Sequence, residues 1–122
     1  MDKKTVLFVD DNKFISEAIP LLLEDHFKVI KATDGRSALM LLASYPVDII
    51  VSDYNMFPEF NGVQFCKEAK AFKPKTPFIL MSSWPKVEGQ EIADRFLEKS
   101  EDVTELVATI NELLAQAEPA PQ

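Results

Sequence analysis

The stretch Val6-Leu7-Phe8-Val9-Asp10-Asp11-Asn12 decides the reading of this chain, because a short apolar run closes on two adjacent carboxylates. A second run, Ile49-Ile50-Val51-Ser52, closes on a third, Asp53. A parallel sheet that brings these two strand ends together holds three carboxylates in one small crevice. Such crowding is costly unless a cation neutralises it. The chain is therefore expected to hold a metal ion.

Working outward, short apolar runs alternate with segments of helical period, the pattern of a parallel sheet with helices on both faces. The first strand is expected over Thr5 to Asp10, followed by a helix from Asn12 to Asp25 carrying Phe14, Ile15, Ala18, Ile19, Leu22 and Leu23. Asp11 or Asn12 can cap it, and Pro20 inside it predicts a kink or local loosening. A second strand, Lys28 to Ala32, ends at the turn Thr33-Asp34-Gly35, which starts a helix carrying Ala38, Leu39, Leu41 and Leu42. Val47 to Asp53 is almost continuously apolar, as a central strand covered on both faces should be. After a loop with Pro58 and Asn61-Gly62, a helix from Val63 to Phe72 is expected to turn Phe65, Cys66, Ala69 and Phe72 inward. Pro77 to Ser82 makes the fourth strand and Arg95 to Glu98 a short fifth. Between them Trp84-Pro85 and Gly89 leave room only for a short helix near Glu88 to Ala93. The last helix, Asp102 to Gln116, repeats Val103, Leu106, Val107, Ile110, Leu113 and Leu114 at helical spacing.

The chain has 122 residues, enough for one domain with a real core and too few for two of ordinary size. Residues 1–117 are read as that domain and 118–122 as a polar tail or the start of a linker. Twenty acidic against thirteen basic residues give a net charge of −7, which disfavours direct contact with nucleic acid or anionic membranes. No apolar run approaches the roughly 20 residues of a bilayer span, and Met1-Asp2-Lys3-Lys4 leads into a strand without a signal-peptide core. A cytoplasmic protein with no membrane insertion is expected. The one cysteine, Cys66, has no partner for a disulfide and reads as a buried apolar residue. The only histidine, His26, reads as a solvated residue before the second strand.

Taken together, these stretches resemble the receiver domains of two-component response regulators, over essentially the whole chain. Val6 to Asn12 resembles the family's first strand and acidic pair, and Ile50-Val51-Ser52-Asp53-Tyr54-Asn55-Met56 its phosphoacceptor strand. Asn61-Gly62 resembles the turn that opens the third helix. Pro77 to Ser83 is similar to the fourth strand with its terminal hydroxyl residue, and Ala93 to Lys99 to the fifth with its lysine. The resemblance implies a chemotaxis-type, flavodoxin-like fold: a doubly wound five-stranded parallel sheet in the order 2-1-3-4-5, with helices on both faces and the fourth helix shortened. Ligands bind such sheets in the crevice between strands one and three.

The same resemblance implies a chemistry. Asp53 would be the nucleophile that accepts a phosphoryl group. Asp10, Asp11, Asp53 and the backbone carbonyl of Asn55 would hold Mg²⁺, Lys99 would offer a point charge to a phosphoryl oxygen, and Ser82 a hydroxyl. Movement of Ser82 toward the phosphate would let Phe96 turn inward as a switch. Asn55 and Trp84 would flank the path of the hydrolytic water and set the lifetime of the phosphorylated state. A sensor histidine kinase or phosphotransfer protein would donate the phosphate, and an unknown downstream protein would read it. The sequence holds no output domain, so a diffusible signal, a relay intermediate and a receiver excised from a larger regulator are all open.

Each residue also has a plainer reading: an acidic pair as a helix cap, Lys99 as a surface lysine, Ser82 as a turn residue, Phe96 as core. Three departures from the family pattern stand out. Ser100 follows Lys99 where these domains usually carry a cis proline; without proline that form costs ~3 kcal/mol or more, so a trans bond is expected. Phe57 is inserted between Met56 and Pro58, which predicts a bulge in the metal-side loop. Only sixteen residues separate Ser82 from Lys99, so the fourth helix should be cut short or replaced by a loop. These departures keep a second reading open, a pseudo-receiver that signals through protein contacts without phosphorylation. A phosphatase of the haloacid dehalogenase type would need a second acid two residues after the nucleophile, where this chain has Asn55. Apart from its own phosphorylation and dephosphorylation, no enzymatic activity is expected.

Overall fold

A computed structural model describes residues 3–55, 60–99 and 103–117, with the backbone alone for 13–16. The expectations for Phe57, the Lys99-Ser100 bond, the tail at 118–122 and the side chains of Phe14 and Ile15 lie outside the described residues. Five strands, β1 (Thr5–Val9), β2 (Lys28–Ala32), β3 (Ile49–Asp53), β4 (Phe78–Ser82) and β5 (Arg95–Glu98), pair in parallel in the order β2-β1-β3-β4-β5. Among the described residues four α-helices connect or follow them: α1 (Lys13–Leu23), α2 (Gly35–Ser44), α3 (Gly62–Phe72) and α4 (Thr104–Ala117).

Strand alternation divides the core in two. Val6, Phe8, Ile49, Val51, Ile79 and Met81 face one side and pack with Leu23 of α1 and with Leu106, Ile110 and Leu113 of α4. Leu7, Val9, Ile50, Phe78 and Leu80 face the other and pack with Ala38 and Leu42 of α2 and with Phe65, Cys66 and Ala69 of α3. Because both faces are covered, β1, β3 and β4 are buried at every residue, which is why they read as unbroken apolar runs. Cys66 is fully buried and His26 exposed, as expected.

The helix ends follow local chemistry. Asp34 caps α2, its carboxylate accepting the Ser37 N–H at 2.8 Å. Asn61 and Gln64 form a reciprocal capping box at the start of α3. α1 continues through Pro20, and the Glu24 N–H reaches the Pro20 carbonyl at 2.9 Å; the helix ends at Leu23, two residues short of the expected Asp25.

The structure corrects three expectations. Phe72, placed inward by its spacing from Phe65, is 50% exposed, because it is the last residue of α3 and that turn has run past the packed face. Leu22 in the α1 stripe is likewise 48% exposed. The short helix expected near Glu88 to Ala93 is a single 3₁₀ turn, Gln90–Ile92. With Val87 buried beneath it, this connection covers the β4–β5 side of the sheet in place of a full helix.

Candidate functional site

Parallel pairing puts the carboxyl ends of all five strands along one edge of the sheet. Val9 pairs with Ser52 and Asp53 with Met81, so the residues just past β1 lie beside the end of β3. Asp10, Asp11 and Asp53 meet there, each offering a carboxylate oxygen within 4.8 Å of the others. Asp10 and Asp53 are 0% and 2% exposed, whereas Asp11 is half-buried.

Lys99, one residue beyond β5, reaches across the strand ends. Its Nζ lies 3.1 Å from Asp10 Oδ2 and 3.0 Å from Asp53 Oδ1. Both contacts are ion pairs by distance, yet neither oxygen has a hydrogen bond of ordinary alignment. The other Asp10 oxygen accepts the Asn12 N–H at 2.9 Å, which shapes the chain where it leaves β1 for α1.

Two buried carboxylates against one ammonium leave the crevice short of positive charge. Burial, and then the Asp10 charge, push the Asp53 carboxyl up to about 6, although Lys99 and the Asn55 N–H act the other way. Burial and Asp10 also raise Asp11. Burial opposes the charge on Lys99, but Asp53 and Asp10 more than offset it and raise its pKa. Three hard oxygen donors, two with poorly satisfied buried oxygens, suit Mg²⁺ or another hard divalent cation.

The remaining sequence-proposed residues stand in or just past β3, β4 and β5. Ser82 ends β4, fully buried, and its Oγ accepts the Trp84 N–H at 2.9 Å. Its carbonyl accepts the Lys99 N–H at 2.7 Å, which ties the two elements together at the crevice. Asn55 is exposed, and its backbone N–H donates to Asp53. The Trp84 side chain is 56% exposed and tilts against Tyr54, ring centroids 6.5 Å apart. Phe96 pairs with Leu80 in register and packs half-buried on the α2 and α3 side of the core.

Sequence reasoning missed the glycines that let the loops close on this centre. A Cβ on Gly62 would stand 2.4 Å from the Asp53 carbonyl oxygen and 2.8 Å from Tyr54 Cα, so only glycine allows α3 to start this close to the end of β3. The Gly62 N–H donates to the Tyr54 carbonyl at 2.8 Å. Gly35 is similarly crowded by the Phe60 ring. Sequence marks these glycines as turn signals but gives no hint of what they touch.

Comparison with known proteins agrees with this geometry. The model of the response regulator receiver domain family matches residues 6–111. PhoP, the alkaline phosphatase synthesis transcriptional regulatory protein of Bacillus subtilis, is 32% identical over 98% of this chain and 52% of its own length. The transcriptional regulatory protein CpxR of Klebsiella pneumoniae is 35% identical over 92% of this chain and 50% of its own. The chain thus spans about half the length of these curated relatives. Among solved structures, the response regulator TrrA of Thermotoga maritima, in complex with Mg²⁺-BeF, superposes with a TM-score of 0.82 at 26% identity, covering 90% of this chain and 98% of that one. The chemotaxis protein CheY4 of Vibrio cholerae does so at 0.83 and 28%, covering 91% and 98%.

Proposed function

We propose that this chain, which belongs to the response regulator receiver domain family, accepts a phosphoryl group on Asp53 in a Mg²⁺-dependent reaction and turns it into a change of protein-binding surface. The observation that carries this reading is the buried crevice in which Lys99 Nζ sits 3.0 Å from Asp53 and 3.1 Å from Asp10 while the negative charge there still exceeds the positive.

In the proposed step an Asp53 oxygen attacks the phosphorus of a phosphohistidine on a sensor histidine kinase or phosphotransfer protein. The O–P bond forms, the P–N bond breaks, and the imidazole leaves with the electron pair. Mg²⁺ held by Asp10, Asp11, Asp53 and the Asn55 carbonyl would supply charge that neutralises the phosphoryl oxygens in transfer. Lys99, already between Asp10 and Asp53, can release the Asp53 oxygen and donate to a phosphoryl oxygen instead. The Ser82 hydroxyl can keep accepting from Trp84 while it donates its own proton to the phosphate.

Phe96 is proposed as the residue that responds to Ser82. Trp84 and Asn55 are proposed to set the lifetime of the acyl phosphate by shielding it from water, so Trp84→Ala should lose phosphate faster than wild type. The downstream partner is proposed to be a protein, since a net charge of −7 disfavours nucleic acid. On this reading the chain acts on no substrate other than its own phosphate.

Intact mass after incubation with acetyl phosphate and Mg²⁺ tests the proposal. One added phosphoryl group on wild type, absent from Asp53→Asn, is the expected result. A second reading, the pseudo-receiver, is favoured by the three-residue turn where the family carries a helix. No adduct from acetyl phosphate or from a cognate kinase would replace the first reading with this one.

A further inference from the structure

The Phe60 ring lies on Gly35, the first residue of α2. A Cβ there would be 2.3 Å from the ring carbons Cδ2 and Cε2. Gly89 alone among the described residues has a positive φ, so the backbone at Gly35 is open to any residue. Alanine would also be the better helix former at this place by up to about 1 kcal/mol. The missing side chain is required by the ring alone.

The ring has two further neighbours. The Arg36 guanidinium stands 5.8 Å from its centroid, and Phe65 meets it edge-on at 6.4 Å. Phe60 therefore joins the loop after β2 to the segment that leads into α3. Since β1 lies between β2 and β3 in the sheet, this link crosses the end of β1, where Asp10 and Asp11 stand. Both sides of the link are tied to the carboxylates. The Asp10 N–H donates to the Ala32 carbonyl at the end of β2, at 3.1 Å, and Gly62 closes on Tyr54, the residue after Asp53, at 2.8 Å.

We infer that Phe60, seated on Gly35 under Arg36, is a positioning residue for the divalent cation: it holds the starts of α2 and α3 at a fixed separation and thereby sets the spacing of the three carboxylates. The inference rests on the metal reading proposed above. It assigns Phe60 no contact with the ion; the ring acts through the backbone on either side of β1, as the outer supports of other metal sites do.

Calorimetric titration of the full chain with Mg²⁺ tests it, without any phosphoryl transfer. Gly35→Ala, which displaces the ring and deletes no side chain, and Phe60→Ala should each bind Mg²⁺ about tenfold more weakly than wild type, the lower end of what outer supports cost. Phe60→Leu, which keeps an apolar body on Gly35, should recover most of that loss. Far-UV circular dichroism and the urea midpoint in chelator show that each variant folds, and if Phe60→Ala does not, Gly35→Ala decides. Wild type that binds while the folded variants match it within about twofold overturns this inference alone. Wild type that gives no binding heat, like an Asp10→Asn control, overturns the metal reading and this inference with it.

Discussion

Asp53 gathers the strain of the site in one group. Burial pushes its carboxyl up to about 6 in the folded chain, against 3.8 for an ordinary aspartate, so the folded state keeps its proton to higher pH than the unfolded state does. Between about pH 4 and 6 this group holds more protons in the folded state, and its contribution to stability falls as pH rises. Above that window the full cost is present, roughly 3 kcal/mol for a shift of this size. Asp11, also raised, adds to the same slope. Asp53→Asn should therefore stabilise the metal-free protein at pH 7.5 by about 1–2 kcal/mol, less than the full figure because Lys99 loses a partner. The gain should vanish near pH 4. Urea denaturation in chelator at the two pH values measures it, and an equal stability of variant and wild type at pH 7.5 would mean that the crevice carries no such load. At this scale the sequence was informative where chemistry concentrates: three acids closing apolar runs, and a lysine after the last strand, are visible in one dimension. That Lys99 pairs with both Asp10 and Asp53, or that Phe60 needs Gly35 bare, depends on contacts between residues far apart in the chain, and no local pattern encodes them.

Elements were legible in proportion to their burial. β1, β3 and β4, covered on both faces, read as unbroken apolar runs, and their observed ends lie within two residues of expectation, since hydrogen bonding rather than apolarity sets the last residue. Periodicity failed at Phe72, which keeps the helical spacing of Phe65 but stands at the end of α3, 5.1 Å from Lys73 Nζ across the ring face. The contrast is measurable: Phe72→Ser should cost no more than about 0.5 kcal/mol, whereas Phe65→Ala, wholly buried, should cost about 3–5 kcal/mol. The β4–β5 connection was the least legible segment. It lacks a long helix, and a long-range clamp fastens its end. Asp94 Oδ2 accepts the Phe78 N–H at 2.8 Å and pairs with Lys70 Nζ at 2.5 Å, while Lys70 also donates to the Thr76 carbonyl at 3.0 Å. One carboxylate thus joins the end of α3 to the starts of β4 and β5. Asp94→Ala leaves the Phe78 amide without its acceptor and should cost about 1–2 kcal/mol; Asp94→Asn keeps an acceptor and should cost less. Equal losses in urea denaturation would assign the clamp to charge rather than to the hydrogen bond.

For the molecule as a whole, the two cores lie on opposite faces of the sheet, and the sheet ends in a crevice with too little positive charge. Folding and cation binding are then two sides of one equilibrium. Any ion that binds the folded carboxylates and not the unfolded chain stabilises by mass action, about 1.4 kcal/mol when its concentration is ten times its dissociation constant. The ion takes deprotonated ligands, so its affinity rises with pH through the range where Asp53 ionises. The sign of the pH dependence should consequently reverse. In chelator the crevice's contribution to stability falls from pH 4 to about 6, whereas with Mg²⁺ in excess that loss shrinks and, at sufficient concentration, becomes a gain. A net charge of −7 means that added salt of any kind relieves some repulsion, so NaCl at matched ionic strength must accompany each Mg²⁺ point. Stabilisation that exceeds the NaCl control, grows between pH 5 and 7, and is lost in Asp10→Asn is the expected outcome. Stabilisation equal to the control at every pH would reduce the acidic cluster to general repulsion. The pairing of Lys99 with both buried carboxylates would then be the full extent of their neutralisation.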